Sequence, residues 1–403
     1  MNRSEINELM KPDARCYARV MSEHRTPREM IEALVAIPTV SRDSNLACIS
    51  FIRDYLAGFG VESVLVENED GSKANLYATV GPMVPGGVVL SGHTDVVPID
   101  DQDWDSDPFQ VVEKDGRLYG RGTCDMKSFY AIALALLPEM QNLKRPIHFA
   151  LSYDEEVGCL GAPALIDAMT AAVPTPEAVI VGEPTMMRVV KAHKSIFRFN
   201  TRITGHEAHS SQPHRGVSAV MVAGRMINWL HERQAKNAEA ASPNCTFEPP
   251  YTSLHCGVVH GGTATNIMAH HCEFDADFRL VPGEDARTYF EELEAYARNV
   301  LEPEMQAIAP ETGIEFRVDA CVPAFEAAED DAAVALVRHL TGQNDLECVS
   351  YGAEAGQFQE AGHSVVMCGP GSIDQAHQPN EYISLEQVEE GVAFTRRLIN
   401  YLS

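Results

Sequence analysis

Basic residues are scarce in this chain of 403: 31 Lys and Arg stand against 58 Asp and Glu, a net charge of −27. So acidic a surface repels phosphate backbones, which argues against nucleic acid as a partner, and favours metal ions and small cations instead. Long apolar runs are missing too. None approaches the ~20 residues of a membrane helix, Phe129–Leu137 being among the longer, which argues against a membrane. Met1–Arg19 mixes charges with apolar residues and lacks a signal-peptide core. The ten cysteines are scattered with no CxxC pair, which argues against zinc ribbons and a disulfide framework. Reduced thiols in a cytoplasmic protein are the expectation.

Familiar catalytic motifs are absent as well. His206 and His209 are three apart and position 210 is serine, so no HExxH begins there. There is no GxSxG elbow and no Walker loop, and Gly120-Arg121-Gly122 lacks the last glycine of a dinucleotide loop because Asp125 stands in its place. What is present is an ordinary globular composition, 45% hydrophobic and 22% charged, long enough for a real core and two or three domains.

Short apolar runs alternate with helical patterns. Val61–Glu67, Asn75–Val80, Gly87–Ser91, Ile147–Tyr153, Ala178–Gly182 and Ser364–Cys368 read as strands. Thr26–Ala36, Asn45–Phe59, Asp125–Leu137, Ala162–Met169 and Asp330–Leu340 read as helices. The alternation predicts an α/β fold with a mainly parallel sheet between helical layers, an α/β/α sandwich. From about Ser195 the order becomes strand (Ile196–Ile203), helix (Val217–His231), strand (Thr252–Val259), strand (His271–Leu280), helix (Asp285–Val300), strand (Gly313–Ala320). This βαββαβ order is ferredoxin-like. Because the βα rhythm resumes near Phe325, residues 192–320 are expected to form a domain inserted into one made of 1–191 and 321–403. The Ala- and Glu-rich stretch Ala235–Pro250 reads as an exposed loop, and Asp100–Asp107 as a solvated acidic one.

Each central run leads directly into acids or histidines. GVVLSG meets His93-Thr94-Asp95, IHFALSY meets Asp154-Glu155-Glu156, AVIVG meets Glu183-Pro184-Thr185, and SVVMCGPG leads to Asp374 and His377. Parallel strands present their carboxyl ends to one edge, where ligands bind, so four distant stretches converge on one crevice. Asp125 joins them, placed to cap the helix that follows. Any one of these acids alone fits a helix cap or a solvated loop, and His93 alone fits a core histidine; the constellation as a whole is harder to reach by accident. Two histidines with several carboxylates and no sulfur suit Zn²⁺, Co²⁺ or Mn²⁺, and a metal pair sharing a carboxylate uses such ligands economically. Cys124 reads as a packing residue.

SGHTDVVP (91–98), GRGTCDMK (120–127), DEEVG (154–158), GEPT (182–185) and AHSS (208–211) resemble the di-zinc aminoacylase and carboxypeptidase family of metallopeptidases, in the family's order and over nearly the whole chain. TVSRDSN (39–45), AEAGQFQEAG (353–362) and CGPGSIDQAHQPNEYI (368–383) are similar to the branch that removes the acetyl group from Nα-acetylornithine in arginine biosynthesis. Ser128 stands where the family has another small residue.

The resemblance implies two divalent cations, Zn²⁺ foremost with Co²⁺ or Mn²⁺ as alternatives. It makes Asp125 the bridging ligand, with His93 and Glu183 completing one site and Glu156 and His377 the other. Asp95 would orient His93, and Glu155 would be the general base; the division of roles between Glu155 and Glu156 comes from the resemblance alone. The insert becomes a lid and dimerisation domain with hinges near residues 190 and 321. His209 on it would stabilise the oxyanion, from the partner subunit of a homodimer. For a small acylated amino acid as substrate, Arg279 is the candidate for the α-carboxylate. Asn266 is the candidate for a hydrogen bond to substrate or oxyanion, although a lid salt bridge or a turn contact fits Arg279 and Asn266 equally. Glu354, placed in the catalytic domain, is the candidate for the ornithine ammonium. His206, His270 and His271 need only solvated or packed roles. The competing expectations are a succinyl-diaminopimelate desuccinylase, a broader aminoacylase or peptidase, and a metal- or amino-acid-binding protein without turnover.

Overall fold

A computed structural model describes residues 24–403; the reading of Met1–Arg19 lies outside the described residues. The chain divides into two compact units. Of the described residues, one contains 24–189 with Ala328–Leu346 and Ala361–Ser403; the other contains Val190–Ala327 and Glu347–Glu360.

The first unit opens with α1 (Pro27–Val35), α2 (Leu46–Gly58), β1 (Ser63–Glu67), β2 (Ala74–Val80), β3 (Val88–His93), β4 (Val112–Lys114) and β5 (Arg117–Tyr119). It continues with α3 (Lys127–Ala135), β6 (Ile147–Ser152), α4 (Ala162–Ala172) and β7 (Ala178–Val181). The second unit holds β8 (Val190–His193), β9 (Ile196–Thr204), α5 (Ala219–Glu239), β10 (Ser253–Gly261), β11 (His271–Arg279), α6 (Ala286–Tyr296), α7 (Glu302–Gln306), β12 (Gly313–Val322) and β13 (Phe325–Glu326). Of the remaining elements, α8 (Ala332–Thr341), β15 (Val365–Met367), β16 (Tyr382–Ser384) and α10 (Leu385–Leu402) belong to the first unit, β14 (Glu347–Val349) and α9 (Ala355–Glu360) to the second.

Within the first unit the strand order is β1-β2-β6-β3-β7-β15. The pairs β6–β3, β3–β7 and β7–β15 are parallel, and β1 and β2 add an antiparallel edge. Every residue of β3, β6 and β7 is buried, which is why these strands read as unbroken apolar runs rather than alternating ones. Register sets His93 beside Ser152 and Ser91 beside Val181, so the three strands end at one edge. At that edge Gly182 is required by close approach: a Cβ there would lie 2.1 Å from the Phe129 ring carbons of α3.

The second unit's four-stranded sheet has the order β10-β11-β9-β12, antiparallel throughout, the ferredoxin-like arrangement of a βαββαβ chain. Its core packs Phe199, Phe274 and Phe278 with Met226 of α5 and Leu293 of α6.

Three local readings change. Helix α5 runs to Glu239, so Ala235–Glu239 is helical rather than loop; Ala, Lys and Glu are strong helix formers that extend an established helix. Helix α3 begins at Lys127 with Met126 as its cap and no side-chain bond there, so Asp125 does not cap it. Residues 347–360 group with the second unit, where β14 pairs in parallel with β8.

Candidate metal centre

The parallel edge of the first unit gathers the side chains that the apolar runs lead into. His93, the last residue of β3, is 1% exposed. Its Nδ1–H donates to the main-chain carbonyl of Asp95 at 2.9 Å, which turns Nε2 toward the neighbouring carboxylates as the nitrogen that could bind a cation. That Nε2 stands 3.0 Å from Asp125 Oδ1. Asp125 Oδ2 lies 3.2 Å from Nε2 of His377, which is also 3.0 Å from Glu156 Oε2. Each oxygen of Asp125 thus faces a different histidine. Ligand atoms of His93, Asp125 and Glu156 lie within 4.8 Å of one another, as do those of His93, Glu155 and Glu183.

Electrostatics describe a cluster that wants cations. Burial alone would raise the Asp125 carboxyl, but hydrogen bonds from His377 and His93 hold it below the usual carboxylate range. Burial would lower His93, and Asp125 drives it well above the ordinary value. Hydrogen bonds to Asp125 and Glu156 push the half-exposed His377 up to about 11. Burial pushes Glu155 up to about 8 and raises Glu156, with Asp125 adding to both and Glu156 adding to Glu155. Protons on the histidines here do the work of positive charge. Glu156 Oε1 is buried with no hydrogen-bond partner, and the donors are all nitrogen and oxygen, so the set fits divalent cations of the zinc type.

The turn that carries the two glutamates is pinned from below. Asp95 Oδ1 accepts from the Glu155 N–H at 3.1 Å, and Oδ2 accepts from Glu156 N–H at 3.3 Å and Ser41 Oγ at 2.6 Å. The carboxylate of Asp95 is 3.6 Å from His93 Nδ1; the Asp95 carbonyl accepts the imidazole's hydrogen bond, and the carboxylate also organises the 155–156 turn. Lys73 Nζ binds both Asp154 Oδ1 and the Ser41 carbonyl at 2.5 Å. Thr39 Oγ1 donates to the Thr94 carbonyl and Asn45 to Thr94 Oγ1, so the TVSRDSN stretch braces the strand end from which His93 projects. Cys159 Sγ donates to Glu155 Oε1 at 3.4 Å.

Cys124 is buried and donates to the Ser372 carbonyl at 3.2 Å, and burial raises its thiol well above the ordinary value, as a packing residue requires. Asp374 is exposed on the loop before His377.

The remaining candidates lie in the second unit. His209 and Asn266 sit on adjoining loops: the Ser210 N–H donates to the Asn266 carbonyl at 3.0 Å, and His209 bridges to Ile267. His209 Nδ1 is 2.7 Å from Ser211 Oγ. Arg279 Nε donates to Asp277 Oδ2 at 2.8 Å, and Glu354 is buried. His206 faces Glu311, while His270 and His271 are exposed.

The profile of Peptidase family M20/M25/M40 matches residues 89–401. The chain belongs to this family. It is 34% identical over 383 residues to the acetylornithine deacetylase of Photorhabdus laumondii, covering 93% of this chain and 95% of that protein. Its fold is similar to that of the M20 family metallo-carboxypeptidase Sso-CP2 from Sulfolobus solfataricus, with a TM-score of 0.74 at 16% identity over 93% of this chain and 98% of the other. It is also similar to the Bacillus subtilis YXEP protein, described as a dinuclear metal binding peptidase from the M20 family, with a TM-score of 0.58 at 16% identity over 93% and 97% of the two chains. This M20/M25/M40 peptidase is accordingly a metal-dependent hydrolase of amide bonds. No described helix is long and apolar enough to cross a membrane.

One pair of residues in this peptidase escapes sequence reading altogether. Arg121 and Glu381 are both 1% exposed and form an ion pair of 2.7 Å. Arg121 sits in the glycine turn and Glu381 in the last motif stretch, 260 residues apart, and no periodicity or spacing links them.

Proposed function

We propose that this chain hydrolyses the acetyl amide of Nα-acetyl-L-ornithine to ornithine and acetate, as a cytoplasmic enzyme of arginine biosynthesis. The observation that carries the reading is Asp125 standing between two histidines, each oxygen facing one of them. Similarity over nearly the whole length to relatives named acetylornithine deacetylase supports the substrate.

Asp125 would be the ligand shared by both cations, His93 and Glu183 would hold one of them, and Glu156 and His377 would hold the other. Zn²⁺ is the foremost candidate, with Co²⁺ or Mn²⁺ as alternatives. Bound there, the cations supply Lewis acidity toward the amide carbonyl oxygen and bring the pKa of water towards about 7. Glu155 takes a proton from the attacking water as its oxygen bonds to the acetyl carbon. It returns that proton to the ornithine nitrogen as the carbon–nitrogen bond breaks. Asp95 keeps Glu155 in reach by holding its main chain.

The second unit is the proposed lid and homodimer surface. His209 stabilises the oxyanion from the partner subunit, and Asn266 on the adjoining loop hydrogen-bonds the substrate. Arg279 clamps the α-carboxylate by releasing Asp277, and Glu354 receives the ornithine ammonium.

Release of the free amine from a panel of acyl amino acids, with and without chelator, tests this, with acetate measured for the acetyl substrates. Nα-acetylornithine is expected to give the highest kcat/KM, and chelation to abolish turnover. Faster cleavage of succinyl-diaminopimelate overturns the substrate; stoichiometric binding of acetylornithine without acetate release overturns the enzyme.

A further inference from the structure

We propose that Glu381 is the positioning residue of the metal centre, holding the loop that presents Asp125 in fixed register with the loop that presents His377. The inference rests on the two-cation reading above and adds what keeps the ligands apart at the right distance.

Glu381 Oε1 accepts three main-chain N–H bonds, from Gly122 at 3.0 Å, Cys124 at 2.8 Å and Asp125 at 3.1 Å. Its own carbonyl accepts from Gly120 N–H at 2.9 Å. Residues 120–125 therefore wrap around one carboxylate. Gly122 makes the wrap feasible: its φ of +84° is left-handed, and a Cβ there would lie 2.9 Å from Val96 Cγ1. Oε2 of Glu381 accepts from Arg121 at 2.7 Å. The same guanidinium donates to Gln102 Oε1 at 2.6 Å, and Gln102 Nε2 donates to the His377 carbonyl at 3.1 Å. Trp104 covers Arg121 at 5.1 Å. A closed circuit runs from Asp125 N–H through Glu381, Arg121 and Gln102 to His377, while Glu381 itself lies four residues after His377 in the same loop.

Stability alone does not call for this arrangement. A buried ion pair is commonly matched or bettered by apolar residues of similar volume. An apolar pair, however, cannot gather three N–H groups onto one point, and only a charged acceptor does so strongly. The acidic loop 100–107 thereby acquires a role through Gln102 and Trp104 that its surface charge does not suggest.

The test is zinc binding by the full chain after chelator treatment, read by competition with a chromophoric chelator, beside thermal melting of the same metal-free samples. The wild type is expected to take up two zinc ions. Glu381→Gln is expected to bind at least one of them about 10- to 100-fold more weakly. Gln102→Ala, at a partly exposed site that does not threaten folding, is expected to weaken zinc by a smaller factor. Val334→Ala, a cavity in the buried face of α8, should lower the melting temperature and leave zinc affinity unchanged, which separates positioning from general destabilisation. Wild-type zinc affinity in a folded Glu381→Gln, or in Gln102→Ala should the first variant fail to fold, overturns the inference. A wild type that binds no zinc pair overturns the metal centre itself.

Discussion

His93, Asp125 and Glu183 in the first unit are held in the opposite way to His209 and Asn266 in the second. In the first, His93, Asp125 and Glu183 are almost wholly buried at the ends of parallel strands or in a loop clamped by Glu381, and Asp95 fixes the glutamate turn through its main chain. In the second, His209 and Asn266 are exposed on adjoining loops, and the His209 imidazole is engaged by a serine two residues away. The difference teaches a division of labour. On the proposed reading, groups that must meet at fixed distance are placed on rigid elements and pinned from behind, whereas His209 and Asn266, proposed to meet substrate, sit on loops that adapt.

Substitutions can break this contrast. Asp125→Asn removes a charge on which both histidines converge; loss of both zinc ions and of all measurable acetate release is expected, by metal analysis and a coupled assay. Glu155→Gln comes next, with a loss of about 10²- to 10⁴-fold in kcat and zinc content unchanged; full activity would remove Glu155 from the reaction. His209→Ala is expected to cost about 10²- to 10³-fold in kcat with zinc content and melting temperature as in wild type. A matching loss of zinc would show that the two units do not divide the work as described.

The smallest effect expected concerns stability alone. Burial depresses His148 on β6 to about 4, and Thr79 Oγ1 lies 2.9 Å from its Nδ1. The unfolded chain takes up a proton near pH 6.5 that the folded chain refuses until about pH 4. Stability from this group is therefore complete above pH 6.5 and falls as pH drops toward 4, by about 3 kcal/mol at most. Melting temperatures of metal-free wild type and His148→Gln between pH 7.5 and 5 should show a shallower acid slope in the variant. Parallel slopes would mean His148 titrates normally.

The strands that carry the site were legible because β3, β6 and β7 are buried on both faces and so appear as unbroken apolar runs, each ending where His93, Glu155 or Glu183 begins. Asp125 was recognised as a member of the cluster but misread locally as a helix cap. Its side chain answers instead to His377, 252 residues further on, and the helix starts two residues later. The grouping of residues 347–360 with the second unit was missed for a similar reason, since the pairing of β14 with β8 spans more than 150 residues. Long-range pairing leaves no trace in local pattern, and Arg121 with Glu381 is the extreme case.

The most direct measurement is a zinc titration of chelator-treated protein, scored by acetate release from Nα-acetylornithine. The account predicts no turnover at the start and activity that saturates at two zinc ions per chain. Turnover that survives complete removal of metal would contradict it.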